Sequence, residues 1–287
     1  MKTLIQPVQQ GAQLLADVDS VSPDPRELSI WWLGQSGFLI AWGGRRLLLD
    51  PYLSDSLTEK YAATDKPHVP MTARVIEPGS LKRVDVVTST HNHTDHLDRD
   101  TLLPLLASNP GLELVIPEAN RGFVAERLGT DPSWPTGLIS GQCVEVGGFV
   151  FHGIPACHNT LETDGQGRHR FMGYVVEAGG WRLYHAGDTL MFPGLEDLIR
   201  PWDVDLAILP INGNKPERKV AGNLDGPEAA RLARAINARL VVPCHYEMFE
   251  FNTASPEPFE QECRSLGQAF KTMRAGERLW LGTQGAK

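Results

Sequence analysis

The segment Thr90-His91-Asn92-His93-Thr94-Asp95-His96-Leu97-Asp98 places three histidines and two carboxylates within eight residues. It follows the apolar strand pattern at 84–87 and precedes a helical pattern around Thr101 to Ala107. Packing does not call for such a set, whereas imidazole and carboxylate are the side chains that hold zinc, manganese or iron. In extended backbone His91 and His93 project to one side, because side chains alternate with period two. Asp95 and His96 are then free to turn toward a second ion. The plain alternative is a polar surface loop with chance histidines, and the density of ligating groups argues against it.

Such a segment needs a rigid frame. From Leu28 the chain reads as an antiparallel meander: Ser29 to Leu33, a Gly34-Gln35-Ser36-Gly37 turn, Phe38 to Trp42, a Gly43-Gly44 turn, then Arg46 to Asp50. Glycines at both reversals supply the positive φ of tight hairpins. Further β-type runs follow at Asp85 to Thr90, Glu113 to Pro117, Val144 to Phe151, Gly173 to Glu177, Trp181 to His185, Val204 to Leu209 and Leu240 to Cys244. Helical patterns lie at Asn120 to Leu128, Ser255 to Leu266 and after Asp225, where Asp225 and Glu228 have capping-box spacing and Ala229, Leu232, Ala233 and Ile236 share a face. The segment 54–80 carries several breakers and weak periodicity, so it reads as a long loop near the site. Residues 1–27 read as an N-terminal extension of a single domain spanning 1–287, with no composition break inside it. Strands early and mixed strands and helices later suggest sheets packed together with helices outside.

Hydrophobic residues make up 41% of the 287 positions, enough for a substantial core. A net charge of −8 gives no reason to expect nucleic acid, whose phosphates demand clustered Lys and Arg. No apolar stretch is long enough to span a bilayer, and the N-terminus lacks the apolar core of a signal peptide. Cys143, Cys157, Cys244 and Cys263 are widely spaced and form no C-x-x-C pair, which points to a reduced, cytoplasmic chain. Oligomeric state is left open, a homo-oligomer included.

The H-x-H-x-D-H pattern resembles the metallo-β-lactamase superfamily, and the likeness runs from Leu28 to Leu281. That resemblance implies an α/β four-layer αββα sandwich with two mixed sheets and helices outside. It also implies that His158 in Pro155-Ala156-Cys157-His158, Asp188 in His185-Ala186-Gly187-Asp188 and His245 in Pro243-Cys244-His245 complete the site. His91, His93 and His158 would hold one divalent ion, Asp95, His96 and His245 the other, and Asp188 would bridge them. Zinc is the first expectation, manganese and iron the alternatives. Within the superfamily, Ile30-Trp31-Trp32-Leu33-Gly34-Gln35-Ser36-Gly37, Leu183 to Thr189 and Ala235 to His245 are similar to the ascorbate-6-phosphate lactonases. Those lactonases carry Asp where this chain has His158, and they differ at Pro210 to Asn214.

The resemblance implies a hydrolase in which a metal-bridged hydroxide attacks a small anionic ester, a sugar-acid lactone first, with Asp95 orienting it and handling its proton. Two alternatives stand beside it: a phosphodiesterase for a cyclic nucleotide or phospholipid head group, and a metal-bearing sensor without turnover. Asn212, Asn214, Lys215 and Arg218, just past a strand end, are candidates to bind an anionic substrate, and Tyr246 to reach the leaving oxygen. Asp98 is a candidate partner for a ligand imidazole or the cap of the next helix, and His185 either a supporting residue or a strand histidine. His68, His152 and His169 read as non-ligands, with His68 and His169 in solvated loops.

Overall fold

The computed structural model describes residues 3–218 and 220–282. Alternation in the first strand fixes the layering. In β1 (Glu27–Gly34), Ile30 and Trp32 point to one cluster of buried side chains while Trp31 and Leu33 point to another. A strand apolar on both faces must be covered on both.

β1 pairs antiparallel with β2 (Gly37–Trp42), and β2 with β3 (Arg45–Leu49). β3, β4 (Val86–Thr88), β5 (Glu113–Pro117) and β6 (Thr136–Leu138) then run parallel. With β13 (Arg278–Gly282) on the other side of β1, they form a seven-stranded mixed sheet. The second sheet has six strands. β7 (Cys143–Val146), β8 (Phe149–Pro155), β9 (Met172–Ala178) and β10 (Trp181–His185) alternate in direction, and β10, β11 (Leu206–Pro210) and β12 (Leu240–Cys244) are parallel.

Helices cover the outer faces. α1 (Gly11–Asp19), α3 (Arg99–Ser108) and α4 (Arg121–Leu128) bring Leu14, Val18, Leu102, Leu105, Val124 and Leu128 onto the outer side of the first sheet. α5 (Leu195–Ile199), α6 (Gly226–Ala235) and α7 (Glu257–Leu266) cover the second. The result is the αββα sandwich expected from the resemblance. α6 opens with the expected capping box: the Glu228 amide donates to Asp225 Oδ1 at 2.8 Å, and the Asp225 amide donates to Glu228 Oε2 at 3.0 Å.

Three local differences from the sequence reading have clear causes. The run Val144 to Phe151 is two strands, because Gly147 and Gly148 both take positive φ (57° and 81°) and reverse the chain. The segment 54–80 contains the short helix α2 (Ser56–Tyr61), whose Leu57 is buried against Tyr52 and Phe249. Residues 1–27 include α1, which is tied to the sheet where Trp31 Nε1 donates to Asp17 at 2.7 Å and Arg278 donates to the same carboxylate at 3.0 Å. Within that extension, α1 is part of the outer layer.

Phe151 is fully buried between the sheets. Phe151→Ala should destabilise the fold by roughly 3–5 kcal/mol, read from urea unfolding; a loss below about 1 kcal/mol would mean that the sheets close over the gap.

Candidate metal centre

The topology delivers chemistry to one edge. β8, β10, β11 and β12 share a direction, so the loops leaving β8, β10 and β12 emerge together, and these loops carry His158, Asp188 and His245. The loop after β4 carries His91, His93, Asp95 and His96, and the β1–β2 turn and the end of β3 bring Gln35 and Asp50 to the same edge. The turns are cemented to one another. The His245 amide donates to Gln35 O at 3.0 Å, and the Met172 amide donates to Thr90 O at 3.1 Å. Gly187, at φ 60°, lies so close to Thr90 that a Cβ there would stand 2.7 Å from its side chain.

Two groups of ligating atoms result: His91, His93 and His158, and beside them Asp95, His96, Asp188 and His245. Within each group the atoms lie within 4.8 Å of one another. Asp188 stands between the two. Its Oδ1 is 3.3 Å from His96 Nε2, and its Oδ2 is 3.5 Å from His245 Nε2 and 3.6 Å from His158 Nε2. Asp95 Oδ2 is 3.4 Å from His245 Nε2 and 3.7 Å from His96 Nε2. Two atoms each 2.0–2.1 Å from a tetrahedral ion stand about 3.3–3.4 Å apart, so these spacings suit a coordination sphere.

The unpaired atoms agree. His91 Nε2, His96 Nε2 and Asp188 Oδ1 are buried without a hydrogen-bond partner, an arrangement that costs free energy unless a cation is bound. Second nitrogens are oriented from behind. His96 Nδ1–H donates to Asp50 Oδ2 at 2.7 Å, and His158 Nδ1–H donates to Gly222 O at 2.8 Å, so in each ring Nε2 is the atom free to ligate. Gln35 Nε2 donates to Asp95 Oδ2 at 2.8 Å and lies 3.1 Å from His245 Nε2. Donor set, spacing and orphaned atoms all fit divalent ions held by nitrogen and oxygen.

Electrostatics point the same way. Burial raises the carboxyls of Asp95 and Asp188, but His96 and His245 outweigh it and hold both well below the ordinary range. Burial pushes His96 and His245 down, yet the carboxylates win: His96 is held well above its ordinary value and His245 is raised to about 9. His91, fully buried and faced by His96 and His93, is held well below. Two buried carboxylates thus draw positive charge into the pocket, as protons or as metal.

Other candidates from the sequence are placed differently. Asp98 caps α3, accepting from the Asp100 amide at 3.4 Å, Thr101 Oγ1 at 2.5 Å and Ser56 Oγ at 2.8 Å, and bonds to no ligand imidazole among the described residues. His185 is buried and donates from Nε2 to Ser36 O at 3.2 Å, tying the second sheet to the β1–β2 turn. Tyr246 is buried against Trp32, with its hydroxyl donating to Met273 O, away from the cavity over the ligands. Asn212 lines that cavity, with Nδ2 donating to Asn252 Oδ1 at 3.0 Å. Arg218 braces the same loop by donating to Asn212 O at 2.6 Å and Thr253 O at 2.8 Å. Asn214 and Lys215 are exposed and stand outside the cavity lining among the described residues.

Sequence reasoning passed over Asp50, Gln35 and Thr90. Asp50 is fully buried and accepts from Thr88 Oγ1, the Thr90 amide and hydroxyl, and His96. A carboxylate closing the apolar strand Leu47-Leu48-Leu49 was the available signal.

A family model described as Beta-lactamase superfamily domain matches residues 29–245, a span that contains all seven of these ligating residues. This chain belongs to the metallo-β-lactamase superfamily. As a superfamily member it is similar to the UPF0173 metal-dependent hydrolase of Rubrobacter xylanophilus, 34% identical over 261 residues that cover 87% of this chain and 95% of the relative. It is likewise similar to a UPF0173 metal-dependent hydrolase of Thermus thermophilus, 31% identical over 88% of this chain and 99% of that one. In fold it matches a metallo hydrolase from Ignicoccus hospitalis (TM-score 0.65, 22% identity, 90% of this chain and all of that one). It also matches an isothiocyanate hydrolase from Delia radicum gut bacteria (TM-score 0.69, 18% identity, 89% of this chain and all of that one).

Asp50→Asn keeps the shape but weakens the acceptor behind His96. Zinc affinity should fall roughly 10–100-fold, measured by competition with a chromogenic chelator; an unchanged affinity would remove Asp50 from the support of His96.

Proposed function

We propose that the protein is a metal-dependent hydrolase of small anionic esters, with a sugar-acid lactone as the first substrate class. One observation carries the reading: two adjoining groups of imidazoles and carboxylates, with buried atoms lacking partners, lie at the floor of an open cavity of about 570 Å³. That volume suits a small molecule. The names of the UPF0173 metal-dependent hydrolases support metal-dependent hydrolysis.

His91, His93 and His158 would hold one divalent ion and Asp95, His96 and His245 a second, with Asp188 shared; zinc suits the donors best, and manganese and iron are alternatives. When bound, such a pair supplies Lewis acidity and lowers the pKa of water to about 7. The chain does the rest. Gln35 holds the Asp95 carboxylate through Oδ2, which fixes the side chain that would orient the attacking water and take its proton. Lys60, Lys66 and Arg127 line the cavity and give an anionic substrate cations to approach. Arg127 is set in place by donating to Asn92 O at 2.8 Å and Leu97 O at 3.1 Å, which ties the cavity wall to the ligand loop. Asn212 also lines the cavity, its amide held between Asn252 and Asn223. The four cysteines are free and three of them are buried, which supports a reducing compartment. No helix among the described residues is long and apolar enough to cross a membrane.

The zinc-loaded protein should open lactones, and His93→Ala should lower both bound metal and rate at least about tenfold. A panel of sugar lactones, bis-p-nitrophenyl phosphate and cyclic nucleotides separates the readings. Phosphodiester cleavage without lactone opening would replace the substrate class, and stoichiometric metal without any turnover would favour the sensor.

A further inference from the structure

His68 was expected in a solvated loop, yet it lies in the wall of the cavity. It is half-buried, just beyond α2, with its ring stacked on Tyr61 at 4.4 Å and met edge-on by Phe249 at 4.9 Å and Phe251 at 4.6 Å. Thr58 Oγ1 donates to His68 O at 2.8 Å and holds the backbone. The ring is therefore clamped on its faces and edges.

Its two nitrogens are in different situations. Nδ1 is 3.1 Å from Lys66 O, and because a carbonyl oxygen only accepts, Nδ1 carries the hydrogen. In the neutral ring Nε2 then presents a lone pair. Nε2 has no hydrogen-bond partner among the described residues. His68 lines the cavity over the ligands and is not part of the neighbouring surface groove lined by Lys66, Pro67, Val69 and Phe251. Burial lowers the basicity of His68; the Lys66 carbonyl and Asp95 oppose this, Lys60 and Lys66 add to it, and the net direction is down. A neutral, accepting ring is the state favoured near pH 7.

We propose that His68 is a specificity residue whose Nε2 accepts a hydrogen bond from a hydroxyl group on the part of the substrate distant from the scissile bond. The proposal rests on the hydrolase reading above and narrows its substrate class to hydroxylated esters. Away from the ligand cluster the charged wall consists of donors, Lys60, Lys66 and Arg127, which suit an anionic or carbonyl group. His68 adds an acceptor beside them, and a polyhydroxylated acid derivative offers both partners. The aromatic clamp fixes the direction of the acceptor, so a substrate lacking the hydroxyl forgoes this hydrogen bond.

The test compares galactono-γ-lactone with γ-butyrolactone, which share the reacting ring; the first adds ring hydroxyls and a dihydroxyethyl arm. His68→Phe preserves the stacking, and it should lower kcat/KM on galactono-γ-lactone about tenfold while leaving γ-butyrolactone unchanged; His68→Gln, which keeps an acceptor, should recover part of the loss. Equal losses on both lactones would make His68 a packing residue and overturn the proposal. A second readout needs no turnover. In wild-type protein with isotope-labelled imidazole nitrogens, the His68 Nε2 resonance should shift on adding galactonate and stay in place on adding butyrate. If neither lactone is opened, the lactone reading fails on its own, and the resonance still decides: a shift specific to galactonate upholds the role of His68, and no shift overturns it.

Discussion

Burying two carboxylates among imidazoles at the end of a sandwich is the constraint around which the rest is arranged. Asp95 and Asp188 cannot sit there as bare anions, since an uncompensated charge in a low-dielectric interior is costly. The chain answers with His96 and His245 alongside, and with a ring of fixed donors and acceptors behind: Asp50, Gln35 and Gly222 O. Each of these comes from a different stretch of chain, so the cluster exists only when both sheets are in register. The parallel strands β10 to β12 and β3 to β5 then have a purpose beyond packing. They aim loops from distant stretches of chain at one place.

Much of this was legible beforehand. His91 to His96 announced itself by density, and the run Ser29 to Leu33 read as a strand, which the structure buries on both faces. The capping box at Asp225 and Gly129, which closes α4 in the left-handed conformation, were local signals with local outcomes, and both helices begin or end where those residues put them. What escaped was long-range or weakly patterned. α1 has two buried residues, Leu14 and Val18, and the sheet it covers lies far along the chain. β13 pairs with β1 across most of the chain's length, and no sequence pattern announces such a partner.

The same division runs through the site. Ligating residue types are conspicuous, but their supports are ordinary residues made special by position. Asp50 bonds to His96 from 46 residues away and Gln35 to Asp95 from 60. Asp98, by contrast, lies two residues from His96 and serves its own helix instead, because the free amides of the first turn of α3 are nearer than any imidazole. Tyr246 illustrates the same point: it follows His245 directly, yet its ring turns under the sheet onto Trp32. Adjacency in sequence proved a poor guide to which groups cooperate.

The β1–β2 turn is the joint between the halves of the molecule. Its carbonyls receive the His245 amide and the His185 ring from the second sheet, and its Gln35 side chain holds Asp95 from the first. Sliding one sheet past the other by even a small fraction of a strand spacing would therefore shear the ligand geometry before it exposed much core. Catalytic competence in such a design is a strain gauge for the sandwich, and damage far from the cavity would register there while most of the fold still stood.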